Sequence, residues 1–303
     1  MTVVCLAGGT GGAKLAAGLQ DLVGGQLAVI ANTADDTEVH GLLVCPDPDL
    51  ITYWLADEID EERGWGIRDD AFVLHERLEQ LGAPGWFRLS DRDLATCLYR
   101  THFIAEGGTL TAAQAQISRA LGAAAAVLPM CEQPVRTRVQ TPAGTRGLQE
   151  FLILDRGEAP IEGVELEGIA AATPTPEVLE ALAAAEAVIV GPSNPVISIG
   201  PILAVPGMRE AIAAAPGKVV AVSPLVGGHA VKGPTDAFVT ALGRPLTAAG
   251  IASLYAEVID GIVVDEGDPG PGGIPMLSRP TLMQGEAGRR ELATAVLDFA
   301  RDL

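Results

Sequence analysis

The sequence predicts an α/β protein: a Rossmann-like, mostly parallel sheet with a helical insert and a small β-hairpin. Three observations carry this reading. The apolar run Val3 to Ala7 ends in Gly8-Gly9-Thr10-Gly11-Gly12, a helical spacing of Leu15, Leu19 and Leu22 follows, and a second apolar run spans Leu27 to Ala31. Strand, glycine turn, helix and strand open a parallel sheet. The same alternation returns late in the chain, and a block of helix-periodic segments separates the two stretches.

The elements follow in order. Leu50 to Ala56, Asp70 to Leu81, Asp91 to Ile104 and Thr111 to Leu121 carry apolar residues three and four apart, which predicts helices. Ser90 and Thr109 are expected N-caps, and Gly82 and Gly122 expected stops. Val135 to Gln140 and Gly147 to Leu154 flank Thr141-Pro142-Ala143-Gly144, the signature of a hairpin. Helices are expected around Pro176 to Ala185, Gly207 to Ala214 and Thr247 to Glu257. They precede strands at Ala187 to Val190, Lys218 to Val222 and Gly261 to Val264, and Gly267 to Gly273 reads as a loop. The organisation expected is one Rossmann-like domain over 1–303, with an insert at about 47–122 covering the sheet's carboxyl edge.

Composition narrows the function classes. With 48% hydrophobic and 19% charged residues, the 303-residue chain can bury a core without disulfides. Cys5, Cys45, Cys97 and Cys131 form no CxxC pair, which fits reduced thiols in cytosol. The net charge of -19 argues against nucleic acid and anionic membranes as partners. It also requires local donors and a divalent cation at any phosphate site. No apolar run is long enough for a membrane span, and no cleavable leader is read at the start, so a cytoplasmic protein is expected.

In open α/β sheets, ligands bind beyond the carboxyl ends of the strands, and the candidate motifs fall at such ends. Gly8, Gly9, Thr10, Gly11 and Gly12 with Lys14 form a turn whose amides can approach a phosphate at a helix N-terminus, though neither GxxxxGK[ST] nor a clean GxGxxG is present. Asn32-Thr33-Ala34-Asp35-Asp36 follows the second strand; the acids either take part in an Asx-turn or ligate a metal. In Pro46-Asp47-Pro48-Asp49, Asp49 is either the N-cap of the helix from Leu50 or, with Asp35, Asp36 and Asp47, part of an oxygen-ligand site for Mg²⁺. Arg88, beside Trp86 and Phe87 and ahead of Asp91, reads as a clamp for a flat ring or as a capping network, and the loop carrying Trp65 has the same character. Ser193, Asn194, Ser198 and Gly200, after the Ala187 to Val190 strand, suit a phosphate or a guanine edge. Lys232, in a later Gly-rich loop, reads either as a phosphate partner or as a solvated lysine. The four histidines do not pair at metal spacing, and no GxSxG elbow or Cys-His couple points to a covalent nucleophile.

These motifs resemble the 2-phospho-L-lactate transferases of deazaflavin coenzyme F420 biosynthesis. The resemblance runs through residues 6–14, 32–36, 45–49, 64–70, 89–96 and 128–130, and is most specific in Gly-Pro-Ser-Asn-Pro-Val-Ile-Ser-Ile-Gly-Pro-Ile-Leu at 191–203. It departs at Thr37-Glu38-Val39-His40, where the family often has an aromatic, and at Pro48, where it usually has a larger apolar residue.

The resemblance implies a donor in which a three-carbon phosphoacid is joined to guanosine through a diphosphate. It implies the deazaflavin alcohol Fo as acceptor, GMP as leaving group, Mg²⁺ as cofactor and a homodimer as assembly. By position it implies Asp49 and Arg88, with Trp65 and Asp91 beside them, on the acceptor side formed by the insert. Asp35, Asp36 and Asp47 fall at the metal, and the loops at 8–12 and 191–200 at the nucleotide phosphates. Asp47 or Asp49 is expected to orient the attacking hydroxyl or take its proton. The alternative is a non-enzymatic nucleotide-sugar-binding regulator of the same superfamily. It differs after the second strand, where Asp35-Asp36-Thr37-Glu38-Val39-His40-Gly41 stands instead of a Gly-Ser-rich run.

Overall fold

The structure is a computed structural model that describes residues 1–231 and 233–303, so the expected phosphate partner Lys232 lies outside the described residues. Its centre is a seven-stranded parallel sheet. The strands are β1 (Val3–Ala7), β2 (Leu27–Ala31), β3 (Ala126–Pro129), β4 (Ala187–Val190), β5 (Lys218–Val222), β6 (Gly261–Val264) and β7 (Met276–Ser278). They lie in the order β7-β6-β5-β4-β1-β2-β3. The register aligns Val3 of β1 with Leu27 on one side and Ala187 on the other.

The chain therefore winds outward from β1 through β2 and β3, then returns to place β4 against β1's other edge. The strand order reverses between β1 and β4, and a crevice opens there at the carboxyl ends. Both faces of the sheet are covered, so its strands read as continuous apolar runs. Alternate residues still part to opposite sides: Val4 and Leu6 join one core, Val3, Cys5 and Ala7 the other.

Helix α1 (Gly9–Val23) leaves the crevice and packs between α2 (Pro46–Leu55) and the last helix, Gly285–Asp302. With α2, α3 (Val73–Gln80), α4 (Asp91–Ala105) and α5 (Leu110–Leu121) form the expected helical stretch. Thr109 caps α5 by accepting from the Ala112 amide, and Gly122 ends it in the left-handed region. Ser90 stands at the N-cap of α4 without a side-chain cap bond.

Three expectations are corrected. Helix α2 begins at Pro46, so Pro46-Asp47-Pro48-Asp49 is its first turn rather than a loop, and Asp49 is not its N-cap. Proline's fixed φ suits that position, and carboxylates are favoured there by the helix dipole. The second hairpin strand covers only Gly144–Gly147, because Leu148–Ile153 forms helix α6. A third strand, Gly163–Glu167, pairs with Arg136–Thr141 on the hairpin's open edge and completes a three-stranded antiparallel sheet. No helix among the described residues is long and apolar enough to cross a membrane.

Candidate functional site

A cleft of about 390 Å³ occupies the crevice between the tips of β1 and β4. Its floor is the glycine turn after β1, and its opposite wall is the Ser-Asn-Pro loop after β4. The two loops touch: the Gly8 amide donates to Ser193 Oγ at 3.1 Å. No side chain fits between them at Gly8, since a Cβ there would stand 2.8 Å from Ser198 Cβ and press against Asp47 Oδ2.

Asp47 reaches the cleft from the first turn of α2. Its Oδ1 accepts from the Gly9 amide at 2.5 Å and its Oδ2 from Asn32 Nδ2 at 2.9 Å, so a carboxylate stands at the N-terminal end of α1. Asn32 also donates to Ile197 O at 3.2 Å. Asp35 lines the same cleft and takes only a long bond, 3.4 Å, from Gln149 Nε2, while its Oδ1 is buried without a partner. Burial pushes both acids upward: Asp47 to about 6, and Asp35 well above the carboxylate range, with the neighbouring Asp47 and Asp36 adding to the rise. Lys14 is the one cation lining the cleft among the described residues. Its Nζ stands 5.4 Å from the Trp54 ring centroid, so an aromatic face rather than a carboxylate holds it.

Of the expected phosphate residues, Gly8, Gly9, Thr10, Gly11, Lys14, Ser193, Asn194 and Ser198 line this cleft. Gly12 lies behind it within α1, and Gly200 within the helix Ile199–Ala204. Of the expected metal residues, Asp35 and Asp47 line the cleft. Asp36 turns instead to a second cavity and accepts from Cys45 Sγ at 3.1 Å.

The expected acceptor residues fall elsewhere. Arg88 Cζ stands 4.2 Å over the Phe72 ring, Trp65 meets the same ring edge-on at 6.3 Å, and Asp91 accepts from the Leu74 amide at 2.9 Å. Asp49 joins neither group. Two residues beyond Asp47 on a helix, its side chain leaves on nearly the opposite side. There it forms a buried bidentate pair with Arg100, whose Nη1 lies 3.1 Å from Oδ2. Asp49, Asp93 and Cys97 are the one set of three or more acid, thiol or imidazole groups among the described residues that converges within 4.8 Å. That set already holds the Arg100 guanidinium and the Tyr53 hydroxyl, which donates to Asp93 at 2.8 Å.

Sequence reasoning missed Asn32 and Arg100 as site-forming residues. Arg100 had a signal, for it falls on the buried stripe of α4 with Asp93, Leu94 and Cys97. A guanidinium at that register requires a buried acid opposite.

A Rossmann-like sheet with a glycine-floored cleft at its strand reversal defines the class of protein. The comparisons make it specific: the family described as 2-phospho-L-lactate transferase CofD matches residues 3–274. The chain belongs to that family of transferases. It is 40% identical over 267 residues to the 2-phospho-L-lactate transferase of Methanosarcina mazei, covering 88% of each chain. It is 39% identical to the phosphoenolpyruvate transferase of Kitasatospora aureofaciens, covering 100% of this chain and 99% of the relative. A solved member of the UPF0052 family from Bacillus halodurans shares the fold at 18% identity and a TM-score of 0.65, over 97% of this chain and 98% of that one.

Proposed function

We propose that the protein transfers a phosphorylated three-carbon acid from a guanosine diphosphate-linked donor to the deazaflavin alcohol Fo, releasing GMP, in coenzyme F420 biosynthesis. The observation that carries this reading is the meeting, in one cleft, of the glycine turn, Lys14 and the Asp35–Asp47 pair. Amides and one cation there suit a diphosphate, and two buried acids beside them suit a divalent ion.

The acceptor hydroxyl oxygen attacks the phosphorus bearing the acid, the bond from that phosphorus to the GMP oxygen breaks, and GMP leaves with the electron pair. The hydroxyl proton passes to a carboxylate at the cleft, for which Asp47 is the candidate. The protein's task is to align these groups and screen their charge. The Thr10 and Gly11 amides at the start of α1, which unlike those of Gly8 and Gly9 meet no side-chain acceptor, and Lys14 hold the diphosphate, and Ser193 and Ser198 fix the opposite wall.

The residues fit a divalent cation at Asp35 and Asp47. Asp35 Oδ1 has no donor, and two like charges buried together are relieved by a positive ion. When bound, Mg²⁺ would supply charge neutralisation for the diphosphate oxygens. Relatives are named for phospholactate and for phosphoenolpyruvate, which supports phospholactyl and enolpyruvyl phosphate donors; a phosphoglyceryl donor is the third candidate. Mass spectrometry of Fo incubated with protein, Mg²⁺ and each guanosine diphosphate-linked acid tests it. One donor should yield an Fo adduct with stoichiometric GMP. No adduct from any donor overturns the proposal and favours a nucleotide-binding regulator.

A further inference from the structure

Three helices meet behind the glycine turn, and each brings one side chain to the same ring. Helix α1 carries Lys14, α2 carries Trp54 and the last helix carries Arg289. Trp54 is buried, and two cations stand over its indole: Lys14 Nζ at 5.4 Å from the ring centroid and Arg289 Cζ at 5.0 Å. The two charges are therefore no farther apart than those two distances laid end to end.

Backbone packing fixes Arg289 in this place. Lys14 and Gly18 lie one turn apart on the same face of α1, and a Cβ at Gly18 would run into the carbonyl oxygen of Arg289. Glu61, in the segment after α2, holds the guanidinium: Arg289 Nη1 donates to its Oε1 at 3.3 Å and to its Oε2 at 3.4 Å. The Glu61 side chain is 46% exposed and that of Arg289 only 12%, so water screens the acid more than the guanidinium. Lys14 has no such anchor. It lines the cleft on a flexible stem and makes no ion pair among the described residues.

Two like charges on one ring repel each other, and each contact with the indole is weaker for the presence of the other. Of the two, the ammonium is the one free to move. A diphosphate in the cleft gives it an anionic partner and relieves the repulsion in the same step.

We infer that Arg289 is a positioning residue of the phosphate site: through Trp54 it loosens Lys14 from the ring, and Glu61 tempers its charge. The inference rests on the proposed function, in which Lys14 meets the diphosphate of the donor. It extends the site to the last helix, which supplies no lining residue to the cleft.

The test measures GDP affinity by calorimetry in the presence of Mg²⁺, with a melting curve for each protein. The full-length variants are Arg289→Gln, Arg289→Lys and Glu61→Gln, and the first and last are repeated in a Trp54→Leu background. Arg289→Gln should weaken GDP binding about threefold to tenfold, the effect of one charge at this range, and Arg289→Lys should restore it to within about twofold of wild type. Glu61→Gln should tighten binding about twofold to fivefold. A merely structural ion pair would shift both halves in the same direction. In the Trp54→Leu background both effects should disappear, because no ring then holds the ammonium beside the guanidinium. Shifts of the same sign, an unchanged Arg289→Gln, or an Arg289→Lys as weak as Arg289→Gln overturn the inference and leave the proposed reaction intact. A loss that persists undiminished in Trp54→Leu overturns it as well, for Arg289 would then act as a plain positive charge near the cleft. Should Arg289→Gln fail to fold, Glu61→Gln decides: tightening that vanishes with Trp54 supports the inference, and no tightening overturns it. A wild-type protein that binds no GDP overturns the functional reading and this inference together.

Discussion

Asn32 Nδ2 donates to Asp47 Oδ2 at 2.9 Å and to Ile197 O at 3.2 Å, so a single amide joins the tip of β2 to α2 and to the loop after β4. Asn32→Ala leaves a buried carboxylate oxygen short of a donor. We expect a stability loss of about 1–3 kcal/mol and transfer slowed roughly a hundredfold through misplacement of Asp47. Melting curves and initial rates measure the two effects. Unchanged rates would show that Asp47 needs no positioning.

The glycine turn gives a contrast between neighbours. Gly8→Ala puts a methyl group against Asp47 and Ser198, and should abolish measurable donor binding. Gly9→Ala meets open space but keeps a φ of 62°, and should cost only about 1–2 kcal/mol of stability with donor affinity retained. Calorimetric titration with GDP separates the two. Equal losses would mean that backbone conformation, not the close approach of the loops, sets the site.

Lys14 is held by the face of Trp54, so a bound diphosphate should draw the ammonium away and change the indole emission. In a Trp65→Phe, Trp86→Phe background, GDP should shift Trp54 fluorescence, and Lys14→Met should abolish the shift. Trp54→Leu removes a contact that the diphosphate must break, and should tighten GDP binding about threefold to tenfold, in line with a cation–π contact of about 0.5–2 kcal/mol.

Asp35 and Asp47 predict a cation-dependent melting temperature. Mg²⁺ at a hundred times its dissociation constant should stabilise wild type by about 2.7 kcal/mol, and Asp35→Asn should remove the effect. Because Asp35→Asn also relieves like-charge crowding, the variant without Mg²⁺ should melt above wild type without Mg²⁺. A wild-type melting temperature indifferent to Mg²⁺ would refute the site.

Burial and the neighbouring Asp49 push the Asp93 carboxyl up to about 7, partly offset by the Tyr53 hydroxyl. Between pH 4 and 7 the folded protein keeps this proton while the unfolded chain has lost it, so folding takes up a proton and stability falls as pH rises. Asp93→Asn, which still accepts from Tyr53, should match wild type at pH 4 and melt several degrees higher at pH 8. A parallel offset at every pH would rule out this titration.

Strands β1, β2, β4, β5 and β6 were legible in the sequence to the residue, because each is an apolar run, led by Lys218 in β5, and punctuated by glycine or a turn. Strand β3 was not: Ala126–Pro129 continues an alanine-rich stretch with no periodicity of its own, and only pairing with β2 makes it a strand. Which loops meet could be read from the rule that strand tips converge at the reversal. Which carboxylate turns into the cleft could not. Asp47 and Asp49 sit in one short acidic motif, and the choice falls to Arg100, fifty-one residues away in the chain.

The position of β4 beside β1 has a consequence for synthesis of the chain. Gly8 and Ser193, 185 residues apart, are bonded neighbours in the finished cleft. A nascent chain that has exposed its glycine turn holds only one wall of the binding site, and the other emerges after most of the translation is complete. Ligand occupancy therefore reports that the C-terminal strands have docked, and a fragment ending before β4 should retain no affinity for the donor.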